Sequence, residues 1–171
     1  MATETIVTPK EQFLTAYDRE HATTLKVLKA YPPEKLELQP HKMCKNAREL
    51  AWMFVIEQGF MEKGATVGFD WSAPPSPFPK PPDSWDTLLT TFDSGQKRVA
   101  SAIRGLTDQQ LLETIKFPSG PNLLADMTKL QFIWMILCDQ IHHRGQFSIY
   151  LRMADGKVPS IYGPTADEPW F

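Results

Sequence analysis

Cysteine is scarce in this chain: Cys44 and Cys138 are the only two among 171 residues. A small disulfide scaffold is thereby excluded, and without an export signal the pair reads as reduced thiols. An excess of one charge is also missing, with 18 basic against 20 acidic residues and a formal net charge of -2. That balance offers no electrostatic footprint for nucleic acid and no polybasic tract for a membrane surface. Long hydrophobic runs are absent too. "LAWMFVI" and "FIWMILC" fall far short of the roughly 20 residues a transmembrane helix needs. The start, "MATETIVTPKEQF", lacks the basic-then-apolar order of a signal peptide. A cytoplasmic location is the expectation. Neither strand-period alternation of useful length nor an internal repeat is found.

What is present is helical patterning in a single domain, residues 1–171. The first block opens at "TPKE", where Thr8 can cap, Pro9 suits the first helical position and Glu11 completes a capping box. Phe13, Leu14, Tyr17, Leu25 and Leu28 form its apolar stripe, and "YPPEKL" ends it, predicting a helix over 8–31. Asn46 and Glu49 mark a second capping box and a helix over 46–65. Residues 66–83 hold six of the chain's 15 prolines between Pro74 and Pro82, so they read as an extended loop packed on the body through Phe69, Trp71 and Phe78. A third helix is expected over 84–105, a helical turn at "TDQQLLETI", and a fourth helix over 122–153. The tail, 154–171, is rich in turn residues. An all-α four-helix bundle with a long, proline-rich connection between its second and third helices is the simplest assembly.

The fourth block raises the functional question. "CDQIHHRGQFSIYLR" places a carboxylate, two histidines and an arginine in the middle of a helix that otherwise reads as core. On a helical wheel Asp139, His143, Gln146 and Tyr150 lie within about 60° of one another, in line with apolar Phe132, Met135 and Ile136. Cys138 and His142 form a second i, i+4 pair on a different face. Glu57 shares a face with Leu50, Met53 and Phe60, which directs its carboxylate toward the core. There it must be paired, ligated or protonated. His21 falls in the apolar stripe of the first block. A carboxylate–histidine set of this kind suits zinc, nickel, manganese or iron, and composition does not choose among them.

The segments "PPEKLELQPHKMCKNARELAW" and "IHHRGQFSIYLRMADGKVPSIYGP" resemble the DinB (damage-inducible) family, also called DinB/YfiT-like bundles. The likeness runs in order along nearly the whole chain, and "HHRGQ" is its most specific motif. It implies an up-down-down-up four-helix bundle, commonly a homodimer, with a divalent metal held by three histidines. One follows "ELA" and two come from "HxxxHRGQ". Here Met53 and Asp139 stand at two of those positions, and His143 alone matches. Methionine is a poor ligand for hard or borderline divalent ions. The expectation is therefore a degenerate centre of His143, Asp139 and Glu57, holding zinc or nickel weakly or not at all.

Each candidate also has a plainer reading. Asp139 and His143 can be an intrahelical pair fixing the interior, and Glu57 can accept hydrogen bonds from the histidines or Arg144. His21 can be a satisfied core histidine, Cys138 an apolar filler, and Met53 simple packing. Arg144 suits a bidentate pair with an acid on a neighbouring helix better than an anionic substrate. Gly145 suits the close approach of another helix or a ligand. Trp52, Trp71 and Trp134 belong to the core, to a subunit interface or to the wall of an apolar pocket. The favoured function is a small-molecule-binding or stress-associated protein, partnered by neither nucleic acid nor membrane. The alternatives are a metal-dependent enzyme of thiol-transferase or hydrolase type, and metal-free acid–base chemistry by Asp139 and His143.

Overall fold

The computed structural model describes residues 7–72, 74 and 76–171; residues 1–6 of the stretch inspected for a leader lie outside it. Helix α1 spans Pro9–Lys29, and both halves of its capping box form between Thr8 and Glu11. A single 3-10 turn, Pro33–Lys35, follows the proline stop. Helix α2 spans Ala47–Thr66 behind the Asn46–Glu49 box. It ends where Gly68, at φ 77°, returns its N–H to the Lys63 carbonyl. Helix α3 covers Trp85–Arg104, capped by Ser84, and the short α4 covers Asp108–Leu111. Helix α5 spans Lys129–Met153. Among the described residues no helix is long and apolar enough to cross a membrane.

The expected fourth helix thus starts late. Residues 122–128 are not helical but belong to an antiparallel hairpin, β1 (Thr114–Gly120) with β2 (Leu123–Thr128), in register Thr114↔Thr128 through Pro118↔Leu124. Asn122 sits at φ 57°, a left-handed turn conformation that asparagine tolerates and a helix cannot use. Thr128 and Gln131 then form the capping box that starts α5.

Helix α1 packs on α3 and α5, and α2 also packs on α3 and α5, so α1 and α2 occupy opposite corners of the bundle. Two apolar clusters fill it. One joins Val27 and Leu28 of α1, Leu50 and Phe54 of α2, Leu88 and Phe92 of α3, and Phe147 and Leu151 of α5. The other joins Phe13 and Tyr17, Met61 and Ala65, Val99 and Ile103, and Phe132 and Ile136 from the same four helices. The first cluster uses the C-terminal halves of α1 and α5 but the N-terminal halves of α2 and α3. Hence α1 and α5 run one way and α2 and α3 the other: up, down, down, up. The chain belongs to an all-α bundle whose 2–3 connection must travel its full length.

Between the clusters lies a belt of buried polar side chains at the waist: Glu20, His21 and Thr24 from α1, Glu57 and Gln58 from α2, Gln140 and Arg144 from α5. Gln140 and Arg144 place part of the polar middle of α5 in this belt, while Asp139, His142 and Gln146 face solvent.

Candidate metal centre

Helical spacing brings Asp139 and His143 one turn apart on the side of α5 that meets α2. Glu57 projects from α2 into the same seam, only 4% exposed. His143 Nδ1 lies 2.5 Å from Glu57 Oε1. The contact is poorly aligned, and neither Glu57 oxygen nor His143 Nδ1 has a well-formed hydrogen bond among the described residues. Asp139 is exposed and closes the group from the solvent side. One ligand atom from each of Glu57, Asp139 and His143 lies within 4.8 Å of the other two.

The electrostatics follow from burial. Desolvation pushes the Glu57 carboxyl up to about 7, with the His143 contact drawing it back and the Asp139 charge pushing it further. His143 is raised above 6.5, first by its contact with Glu57 and against the cost of its own burial. Buried carboxylate oxygens without partners are costly. Here they converge with an imidazole and a second carboxylate, a donor set that matches a borderline or hard divalent ion.

The remaining candidates lie elsewhere. Arg144, 1% exposed, donates to the Glu20 carboxylate at 2.7 Å, to the Glu20 carbonyl and Thr24 hydroxyl, and to the Tyr162 hydroxyl of the tail. It is a structural ion pair between α5 and α1. His21 contacts Asp93 of α3 at 3.2 Å and packs against Phe92. Burial holds it below 6.5 despite that carboxylate. Tyr150 is buried and donates to the Lys45 carbonyl. His142 is exposed and pairs with exposed Gln146 one turn on, at 2.9 Å. Cys138 is exposed rather than a core filler, and Cys44 is likewise free. Met53 is half-buried, one turn before Glu57. A Cβ added at Gly145 would meet nothing within 4 Å, so none of the described helices approaches it closely. Glu20 and Asp93, the acids that complete the belt, were not singled out by sequence reading. Glu20 interrupts the apolar stripe of α1 at a core-facing position, and that interruption was its signal.

Comparison with known proteins agrees with the fold. The DinB family model matches residues 1–169. The chain belongs to the DinB family. It is 26% identical over 159 residues to the uncharacterised protein YrdA of Bacillus subtilis strain 168, covering 92% of this chain and 90% of YrdA. Its fold is similar to that of a DinB-like protein from Bacillus cereus ATCC 10987, with a TM-score of 0.72 at 23% identity, covering 89% and 97% of the two chains. The DinB-like protein YjoA of Bacillus subtilis is similar at a TM-score of 0.68 and 14% identity, covering 88% and 96%.

Proposed function

We propose that this DinB-family chain is a small-molecule-binding protein built round a rearranged divalent-metal centre of Glu57, Asp139 and His143. The observation that carries the reading is the convergence of these three groups from two helices, with the buried Glu57 oxygens otherwise lacking partners. One imidazole and two carboxylates suit zinc, and tolerate nickel, manganese or iron. Met53 stands where the family pattern places a further imidazole, so the ion is held weakly. When bound, the ion would act as a Lewis acid toward a water or thiol at its open positions. The protein's part is to hold Glu57 buried with a half-buried His143 against it while Asp139 faces solvent.

A metal-free alternative has its own support. Glu57, pushed up to about 7 by burial, lies beside a His143 raised by that contact, an acid–base pair in need of no ion. The two readings separate on metal content and on whether any activity survives chelation. The homodimer expected from the resemblance remains part of the proposal, and sedimentation of the purified chain tests it.

The deciding experiment is elemental analysis of protein purified without chelator or histidine tag, followed by zinc titration. Stoichiometric zinc uptake is expected, lost in Glu57→Gln and His143→Ala. Uptake should strengthen as pH rises through about 7, because the ion competes with protons for the ligand atoms of Glu57 and His143. Failure of the wild type to bind zinc, or equal binding by both variants, would overturn the metal centre.

A further inference from the structure

The outward face of α2 carries a second feature, on the opposite side of the helix from Glu57. The described residues of the proline-rich connection lie over this face and border a cavity of about 780 Å³, open to solvent on one side and within the usual volume range for small-molecule sites. Its walls are aromatic: Trp52 and Phe60 of α2, Phe69, Trp71 and Phe78 of the connection, and Phe117 of β1. None of the three converging metal-centre groups lines it.

Three details distinguish this cavity from a packing fault. Both indole N–H groups are already satisfied, Trp52 by the Pro79 carbonyl and Trp71 by the Lys116 carbonyl, each at 2.7 Å. The rings are therefore held in place as apolar walls. Next, Gly59 lies on the lining in mid-helix, where glycine costs about 0.5–1 kcal/mol relative to alanine. A Cβ there would meet nothing within 4 Å. No packing within the described chain requires a bare backbone at this position, and its effect is to keep the floor open. Finally, the Lys63 ammonium stands 5.6 Å from the Phe69 ring centroid at the cavity edge, and its charge is felt by Asp70 of the lining although the two form no direct salt bridge. Asp70, the one acid on the lining, has a carboxylate oxygen taken by the Ser72 N–H and hydroxyl.

We propose that this cavity is a binding site for a flat aromatic small molecule bearing one anionic group. The rings lie between the indole and phenyl walls over Gly59, and the anion meets Lys63. The inference rests on the small-molecule-binding reading but not on the metal, and it places that ligand apart from the Glu57 centre.

Two fluorescent probes of nearly the same shape test it: anilinonaphthalene sulfonate, an anion, and uncharged phenylnaphthylamine. Both should bind the full chain at a single site with blue-shifted emission. Gly59→Phe starts from a Cβ with nothing within 4 Å and places a ring in the cavity against its walls; it should weaken both probes by about tenfold or more, with unchanged far-ultraviolet circular dichroism. Lys63→Gln, at an exposed position, should weaken the sulfonate by about threefold to fivefold and leave the neutral probe unaffected. Glu57→Gln, His143→Ala and added chelator should change neither. Undiminished binding of both probes by Gly59→Phe would overturn the site. Equal sulfonate binding by Lys63→Gln would overturn the anionic class. If only the Glu57 and His143 variants lose the probes, the ligand belongs to the metal centre and the separate site is wrong.

Discussion

Arg144 brings a full charge to the middle of the bundle and spends it on one partner, Glu20, with Tyr162 of the tail completing the group. Burying such a pair is expensive, and removing one member leaves the other uncompensated. Arg144→Ala is expected to lose about 3–5 kcal/mol in urea unfolding. Arg144→Lys should recover little of it, because an ammonium cannot reproduce the guanidinium fork. The pH dependence has a definite sign. Burial alone would raise the Glu20 carboxyl, but the Tyr162 hydroxyl and the Arg144 guanidinium overcome this and hold it below its ordinary 4.5. Its contribution to stability is therefore complete above about pH 4.5 and lost as pH falls through the lowered folded value. Glu20→Gln should accordingly show a stability deficit at neutral pH that narrows in acid, measured by paired denaturant titrations. The charge of Arg144 made an acidic partner on another helix legible in the sequence. Which acid it was could not be read, because helix spacing orders side chains round one axis and says nothing of the neighbouring helix.

At the scale of elements, α1, α2 and α3 were readable to within a residue or two, since their starts carry side chains that hydrogen-bond the first turn. The hairpin before α5 was not. "TIKF" alternates too briefly to stand out, and "LLADM" is as apolar as a helix face. Its strands are defined by pairing with each other, a non-local fact. Within α2 two glycines play opposite parts. A Cβ at Gly64 would lie 2.1 Å from the Phe132 ring, whereas one at Gly59 meets nothing within 4 Å. Gly64→Ala should lower stability by about 1–3 kcal/mol through overpacking, less the roughly 1 kcal/mol that helix propensity returns. Gly59→Ala should raise it by about 0.5–1 kcal/mol. Urea midpoints of the two variants should shift in opposite directions.

At the scale of the molecule, the parallel course of α2 and α3 sets the length of the connection between them. The 20 residues of α2 span about 30 Å, and the chain must also cross roughly 10 Å to the next helix axis. A connection of 18 residues, 67–84, covers this easily when extended, a conformation that proline favours. Deleting residues 73–82 would leave a reach of at most about 29 Å. The truncated chain is expected to lose cooperative thermal unfolding. A well-folded monomer with native stability would contradict the up-down-down-up arrangement.

Local pattern alone determined the helical class, the long proline-rich span and the polar interruption in the last helix, because capping, proline geometry and helical periodicity act within a few residues. It also nominated Glu57, Asp139 and His143, since three side chains with a common chemistry pointed from two core-facing stripes. Only the tertiary structure decided that these three meet while His21 and Arg144 are claimed by Asp93 and Glu20. Only it showed an aromatic cavity on the far side of α2. Those outcomes depend on the rotation and direction of whole helices against one another, which the packing of two apolar clusters around a polar waist sets.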